Sequence, residues 1–477
     1  MGSTPISATK AGGNLPDKDK EKPEILKPSR ETKMASNSKP MQLQDVERPN
    51  LYREFFPYTE FPKLEFEEQT VPMEIPEDFW ITDTTFRDGQ QARPPYSPEQ
   101  IARIYEFFHQ INGETGLIRQ CEFFLYSDRD RKAVELCKEK GYRYPEITGW
   151  IRATPADFKY VTQMGLKETG ILTSASDYHI FLKLKMTRSQ AMQAYLDIVK
   201  AALDNGILPR CHFEDITRAD YEGFVLPFAS ELLKLSQQYN SPVKIRLCDT
   251  LGFAVPYPNA KLPRSLPKLI AGLRRLGVPS AWLEWHGHND FHKVQVNAAA
   301  SWLYGCSAAN CAIFGVGERT GNPPLEAMVI EHAQLAGTNP KVNYAAITEL
   351  AEYAQKELGF HLPANYPLVG RDFNVTRAGI HADGLLKNEE IYNCFDTLKL
   401  LKRTAGVAIT DKSGAAGIKH WIESRYQIEI SKHDPRVETI KNKIDEEYSA
   451  DRMSAISDEE MQTWVRQIFG NSLPPER

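Results

Sequence analysis

Ala281-Trp282-Leu283-Glu284-Trp285-His286-Gly287-His288-Asn289-Asp290 is a short apolar run that closes on two histidines. A β-strand alternates faces, so as a strand it points His286 and His288 to one side. Two imidazoles side by side at a strand end can grip one divalent cation. Gly287 has no side chain, so a ligand or loop can come close to the backbone there. The stretch predicts a strand whose C-terminal end carries chemistry.

The same rhythm recurs on both sides of it. Strands are expected at 79–84, 117–124, 145–152, 168–173, 207–215, 243–249, 282–288 and 310–315. Helices are expected at 98–110, 130–140, 155–164, 188–205, 225–238, 265–276, 291–304 and 324–335. Strand alternating with helix implies right-handed parallel crossovers. Eight rounds over roughly 260 residues match a (β/α)8 TIM barrel. A doubly wound open sheet would want a glycine-rich phosphate turn after its first strand, and Arg87-Asp88-Gly89-Gln90 is not one.

The fold class expected is therefore α/β: a TIM barrel over 79–339, followed by a smaller, mainly helical region over 340–435. Residues 343–358 read as a helix with Ala346, Leu350, Tyr353 and Ala354 on one face. Residues 47–78 mix aromatics with prolines and read as an arm packed on the barrel. Residues 436–477 read as a charged helical tail. Residues 1–46, rich in Lys, Glu, Pro and Ser, are expected to be disordered.

Composition narrows the class of function. A net charge of -5 gives no push toward nucleic acid or an anionic membrane. No apolar run reaches the length of a membrane span. Seven cysteines without regular spacing suggest free thiols in a reducing compartment. The acids Asp17, Asp19, Glu21, Glu24 and Glu31 speak against a mitochondrial presequence. Ile6 breaks the myristoylation pattern that Gly2 would open. A cytoplasmic protein is expected.

In a parallel barrel, active residues gather where the strands end. Nearly every strand here ends in polar groups: Arg87-Asp88, Glu122, Arg152, Ser174 to His179, His212 to Asp215, Asp249-Thr250, the two histidines, and Gly317 to Asn322. Unpaired, these would be costly. Together they describe one converging site. Asp88 is the carboxylate candidate beside His286 and His288, because the first strand of a closed barrel adjoins the eighth. Asn322 is a further candidate ligand, direct or through water. Such a set suits Zn, Mn, Fe or Mg and leaves positions open for a substrate. Arg87 reads either as an ion-pair partner or as a fixed cation for a developing oxyanion. His292 is expected on the first turn of the next helix, and Ser176 and Asp177 as caps of a helix near His179.

Three stretches together carry a resemblance: Asp83-Thr84-Thr85-Phe86-Arg87-Asp88-Gly89-Gln90-Gln91, His286-Gly287-His288-Asn289-Asp290, and Gly317-Glu318-Arg319-Thr320-Gly321-Asn322. The chain resembles the metal-dependent Claisen-condensing enzymes on a TIM barrel: the isopropylmalate, homocitrate, citramalate and Re-citrate synthases, with hydroxymethylglutaryl-CoA lyase as a cousin. The resemblance implies metal ligands Asp88, His286 and His288, with Asn322 in or near the shell. It implies a catalytic His381 in Arg377-Ala378-Gly379-Ile380-His381-Ala382-Asp383-Gly384, working with Tyr392 and with Glu214. It further implies a homodimer in which that loop reaches over the partner's barrel.

The implied reaction joins acetyl-CoA to a 2-oxo acid. The oxo acid chelates one divalent metal (Mg, Mn or Zn), Arg87 supports the charge on its ketone oxygen, and His381 takes the methyl proton directly or by relay. Gln91 and Thr250 are assigned to substrate, Thr250 on its carboxylate. The stretches 122–127, 148–152 and 167–171 look most like the Re-citrate synthases, which use oxaloacetate. A second substrate carboxylate would want a cation, and Arg152 or His212 could supply it. The alternatives are isopropylmalate or homocitrate synthesis from 2-oxoisovalerate or 2-oxoglutarate. A hydroxyacyl-CoA lyase and an inactive scaffold are more remote.

Overall fold

Eight short strands pair in chain order and close on themselves. They are β1 Trp80–Asp83, β2 Ile118–Phe123, β3 Glu146–Ile151, β4 Glu168–Ser174, β5 Leu208–Glu214, β6 Lys244–Asp249, β7 Leu283–Gly287 and β8 Ala308–Cys311. Every pairing is parallel, and β1 closes the ring on β8 through Thr82 opposite Asn310. The computed structural model describes residues 41–377 and 379–473. Residues 1–40 of the expected tail, Ala378 of the His381 motif and residues 474–477 lie outside them.

Each strand is followed by helical structure: α1 Pro98–Asn112, α2 Asp128–Glu139, α3 Phe158–Gln163, α4 Arg188–Asp204, α5 Leu226–Tyr239, α6 Leu266–Leu276, α7 Val294–Leu303 and α8 Leu325–Ala336. Ser97, Ser127 and Thr187 each accept from the backbone three residues on, while that residue's side chain reaches back. These capping boxes set where α1, α2 and α4 begin. Outward strand residues such as Ile118, Cys121, Ile171 and Leu247 pack with the inner helix faces in one continuous apolar core.

The inside of the barrel departs from that rule. Layers of branched apolar side chains are usual there. Here Arg210, Arg246, Glu122, Glu168 and Glu284 are buried together. Arg246 donates to Glu284 and Glu122, Arg210 to Glu122 and Glu168, and Lys244 to Glu168. Each charge meets an opposite one, as burial at this depth requires.

The last strand corrects an expectation. It was expected at 310–315 but spans Ala308–Cys311, and the chain then turns through a short 3-10 segment, Ile313–Gly315. Phe314 there is left-handed, with φ 50°. Its amide is held by the Glu326 carboxyl at the start of α8. His292 is not on the first turn of α7 either: it sits in a left-handed turn at φ 55°, and the helix starts at Val294. Ser176 and Asp177 do not cap the π-helical turn Tyr178–Lys183. Ser176 bonds Asp215, and Asp177 holds Arg188 and the Asn50 amide.

Residues 42–78 lie along the barrel. Arg188 donates to the Gln44 carbonyl, Phe56 packs on Phe253 with centroids 4.9 Å apart, and Arg264 donates to the Pro62 carbonyl. Beyond α8, α9 Ala345–Glu357 joins the barrel core through Ile347, Leu350 and Ala354. Then come β9 Val375–Thr376, α10 Gly379–Lys387, α11 Thr397–Leu401, β10 Gly406–Val407, α12 Gly414–Tyr426, α13 Pro435–Ser449 and α14 Asp458–Phe469. A second apolar core gathers Ile418, Trp421 and Ile422 of α12, Val437, Ile440 and Ile444 of α13, and Met461, Trp464 and Val465 of α14. Among the described residues, no helix is long and apolar enough to cross a membrane. All seven cysteines are free.

Candidate metal centre and active site

Strand β7 delivers His286 and His288 to the inside of the barrel mouth, with ring centroids 5.0 Å apart and planes at 88°. The turn after β1 brings Asp88 to them across the β1–β8 seam. One ligand atom from each of the three lies within 4.8 Å of the others. Gly287 plays a different part from the one expected. It faces outward, where an added Cβ would stand 3.1 Å from Trp285 Nε1 and 3.7 Å from Val294 of α7. Helix packing, not ligand approach, occupies that side.

Asp88 is held from three directions. Arg87 NH1 lies 3.1 Å from Oδ1, Asn322 Nδ2 donates to Oδ2 at 2.6 Å, and the Glu318 amide lies 3.4 Å from Oδ2. Gly317 makes room for this: a Cβ there would stand 2.0 Å from Asn322 Nδ2 and 2.8 Å from Asp88 Oδ2. Burial pushes the Asp88 carboxyl up, but the Arg87 guanidinium and the two imidazoles outweigh it and hold it at about 2. Burial pushes His286 well below its ordinary value, helped by His288, and burial lowers His288 too. The centre is thus one carboxylate with two neutral imidazoles.

These residues fit a divalent cation. His288 Nδ1 and Asn322 Oδ1 are buried without a hydrogen-bond partner among the described residues. Orphaned acceptors beside a carboxylate and a second imidazole are a donor set for a metal of Zn, Mn, Fe or Mg type. Asn310 Oδ1 lies 2.8 Å from His286 Nδ1, leaving Nε2 as that ring's free nitrogen.

Arg87 both pairs and presents. Its Nε donates to Glu122 Oε2 at 2.9 Å, while the same guanidinium reaches Asp88. Glu122 also takes Arg246 on Oε2 at 2.9 Å and Arg210 on Oε1 at 2.8 Å. Burial favours its neutral form, but these cations keep it well below the usual carboxylate range. Arg87 is therefore a fixed cation beside the Asp88, His286 and His288 cluster.

The other site expectations divide. Thr250 Oγ accepts from the Asp215 amide at 2.8 Å, which leaves its proton to donate. His212 is buried beside Glu122, but burial and Arg246 push its imidazole down to about 3. It is neutral and is not the cation expected for a second carboxylate. Arg152 is not that cation either: its exposed side chain is captured by the buried Asp157 at 3.0 Å and lies over Tyr126. Gln91 is exposed on the short turn after β1. His381 and Tyr392 do come together, with ring centroids 4.5 Å apart. No hydrogen bond joins either to Glu214 among the described residues. Glu214 is held instead by Ser174, by His179 Nδ1 at 3.0 Å and by Lys183 at 3.2 Å.

Lys183 and Asn310 were not singled out from sequence as partners of the site, and His179 was placed at the end of the fourth strand without a partner assigned to it. The signal for the interior was present, however. Gln120-x-Glu122, Arg210-x-His212-x-Glu214, Lys244-x-Arg246 and Glu284-x-His286 place polar residues on one face of β2, β5, β6 and β7.

The comparisons agree with one another. A family model described as HMGL-like matches residues 78–353. A citrate (Re)-synthase of Syntrophus aciditrophicus is 54% identical over 433 residues, covering 90% of this chain and 69% of that protein. A citrate (Re)-synthase of Clostridium kluyveri is 52% identical over 432 residues, covering 90% of this chain and 95% of that protein. A 2-phosphinomethylmalate synthase of Streptomyces hygroscopicus is 38% identical over 435 residues, covering 90% and 98%.

Proposed function

The chain belongs to the HMGL-like family, and on that premise we propose that it condenses acetyl-CoA with a 2-oxo acid, with oxaloacetate as acceptor and citrate as product. The observation that carries this reading is the 52–54% identity to two citrate (Re)-synthases across 90% of the chain. The Asp88, His286 and His288 cluster supports it, because a 2-oxo acid offers a carboxylate and a ketone oxygen to a metal with open positions.

A divalent ion held by Asp88, His286, His288 and Asn322 would polarise the ketone and orient the oxo acid. The Arg87 guanidinium, fixed by Glu122, stabilises the negative charge that builds on the ketone oxygen. Thr250 donates its hydroxyl proton to the substrate carboxylate. His381, steadied by Tyr392, takes the methyl proton of acetyl-CoA. The methyl carbon then bonds to the keto carbon. Water cleaves the thioester and frees the CoA thiol, which makes the overall step effectively irreversible.

His381 and Tyr392 serve the barrel of a second copy in a homodimer. Their exposure supports this, as does that of Ile380 and Ile391 beside them, which a partner's barrel rim would cover. In the partner site they meet Glu214. The seven free thiols fit a cytoplasmic setting.

Thiol release from acetyl-CoA, followed across oxaloacetate, 2-oxoisovalerate and 2-oxoglutarate, tests the reading. Release with oxaloacetate and formation of citrate are expected. Release with another acid moves the substrate assignment. Release with none, together with cleavage of a hydroxyacyl-CoA, replaces the synthase by a lyase.

A further inference from the structure

We propose that Asn310 is the positioning residue that decides which ring nitrogen His286 offers to a cation, and that Asn310 is itself oriented by a one-way chain of hydrogen bonds starting at Arg246. The inference rests on the metal reading of the site and is independent of which oxo acid is used.

The chain is forced link by link. A guanidinium only donates. Arg246 gives Nε to Glu284 Oε2 at 2.8 Å and NH2 to Oε1 at 3.0 Å. Both carboxyl oxygens of Glu284 are thus taken up by N–H donors of one guanidinium, so Glu284 accepts on each of them. Thr82 Oγ1 bonds to Glu284 Oε1, so its single proton is committed there. The same oxygen then has only lone pairs left for Asn310. The amide group facing it, 2.9 Å away, must be the donor Nδ2. Asn310 Oδ1 therefore faces His286 Nδ1 at 2.8 Å. An acceptor at that place requires a proton on Nδ1 and leaves the lone pair on Nε2.

Thr82, Glu284, His286 and Asn310 are all buried, on the adjoining strands β1, β7 and β8. None of the links can be reversed without leaving a buried donor facing a donor, or an acceptor facing an acceptor, which is expensive. His288 has no such tether, since its Nδ1 has no partner among the described residues. One imidazole thus arrives with its tautomer set by the barrel, and the other does not.

The experiment uses the full-length protein with ¹⁵N-labelled histidine, freed of metal. His286, assigned by the signal lost in His286→Gln, is expected to carry its proton on Nδ1 with Nε2 bare. Thr82→Val keeps the shape of the side chain but removes both hydroxyl bonds. It should let the Asn310 amide turn over, move the His286 proton to Nε2, and weaken Mn²⁺ binding by about 10–100-fold. Thr82→Ser keeps the hydroxyl and should restore the wild-type tautomer and affinity.

A wild-type His286 protonated on Nε2 overturns the proposal, and this measurement stands even if Thr82→Val fails to fold. So does a folded Thr82→Val that loses Mn²⁺ affinity without any change of tautomer, or that changes neither. Wild-type protein with the expected tautomer but no Mn²⁺ binding removes the metal reading, and with it the purpose of the tether.

Discussion

Asn322 gives its amide Nδ2 to Asp88 Oδ2 across 2.6 Å while its own Oδ1 stays buried without a hydrogen-bond partner among the described residues. The tie seats Asn322 against the carboxylate that clusters with His286 and His288. Asp88→Ala and His286→Ala should each abolish bound metal and turnover together. Asn322→Ala, which removes only a neutral oxygen and the Asp88 tie, should weaken metal by about 10–100-fold and leave measurable turnover. Mn²⁺ titration beside the thiol-release assay reads both. Full activity in Asp88→Ala would remove this residue from the site.

Glu122 is the anion on which three guanidiniums converge, those of Arg87, Arg210 and Arg246. Glu122→Gln leaves those buried cations short of one counter-charge. Breaking a buried ion pair from one side costs about 3–5 kcal/mol, and Arg87 loses the bond that aims it. Denaturant unfolding should show the stability loss, and turnover should fall about tenfold or more. A variant as stable and as active as wild type would show that Arg87 is aimed by Asp88 alone.

His381→Ala should spare metal binding and slow turnover by about 10²–10⁴-fold. Mixing it with Asp88→Asn tests the proposed homodimer and whether His381 acts across it. After subunit exchange, half of the dimers should be mixed. Each mixed dimer should have one barrel with an intact Asp88 facing an intact His381. About a quarter of wild-type turnover should return. If no activity returns after exchange has been verified, His381 serves its own barrel or none.

The barrel was legible because its signal is repetitive. Seven strands lie within a residue or two of where apolar runs meet polar ends. The eighth was misplaced because Phe314 adopts a left-handed turn stabilised by Glu326, twelve residues on, and no local pattern encodes that partner. The clustering of Asp88 with His286 and His288 was legible from His286-x-His288 together with the topology that seats β1 beside β8. The substrate cations were not. Arg152 was free to be assigned to the cleft until Asp157 was seen to hold it, and His212 looked ionisable until its burial among Arg246, Arg210 and Glu122 was known. Charge state is set by three-dimensional company, which spacing in the chain does not report.

Glu326 gives a pH signature away from the metal. It is fully buried at the start of α8, where it accepts from the Phe314 amide while Tyr366 lies 3.1 Å from its other oxygen. Burial raises its carboxyl from 4.5 to about 7, only partly offset by these bonds. The folded-state value lies above the unfolded one. Below about pH 4.5 both states hold the proton and nothing is gained or lost. Between there and about pH 7 the unfolded chain gives up its proton while the folded one keeps it, so stability falls as pH rises. The full loss is about 3 kcal/mol. In Glu326→Gln, the side-chain oxygen still accepts from Phe314 and its NH2 can meet Tyr366, but nothing titrates. Chemical denaturation at pH 5 and pH 8 should show the variant gaining on wild type at the higher pH. Equal pH dependence in the two proteins would mean that Glu326 is ionised in the fold.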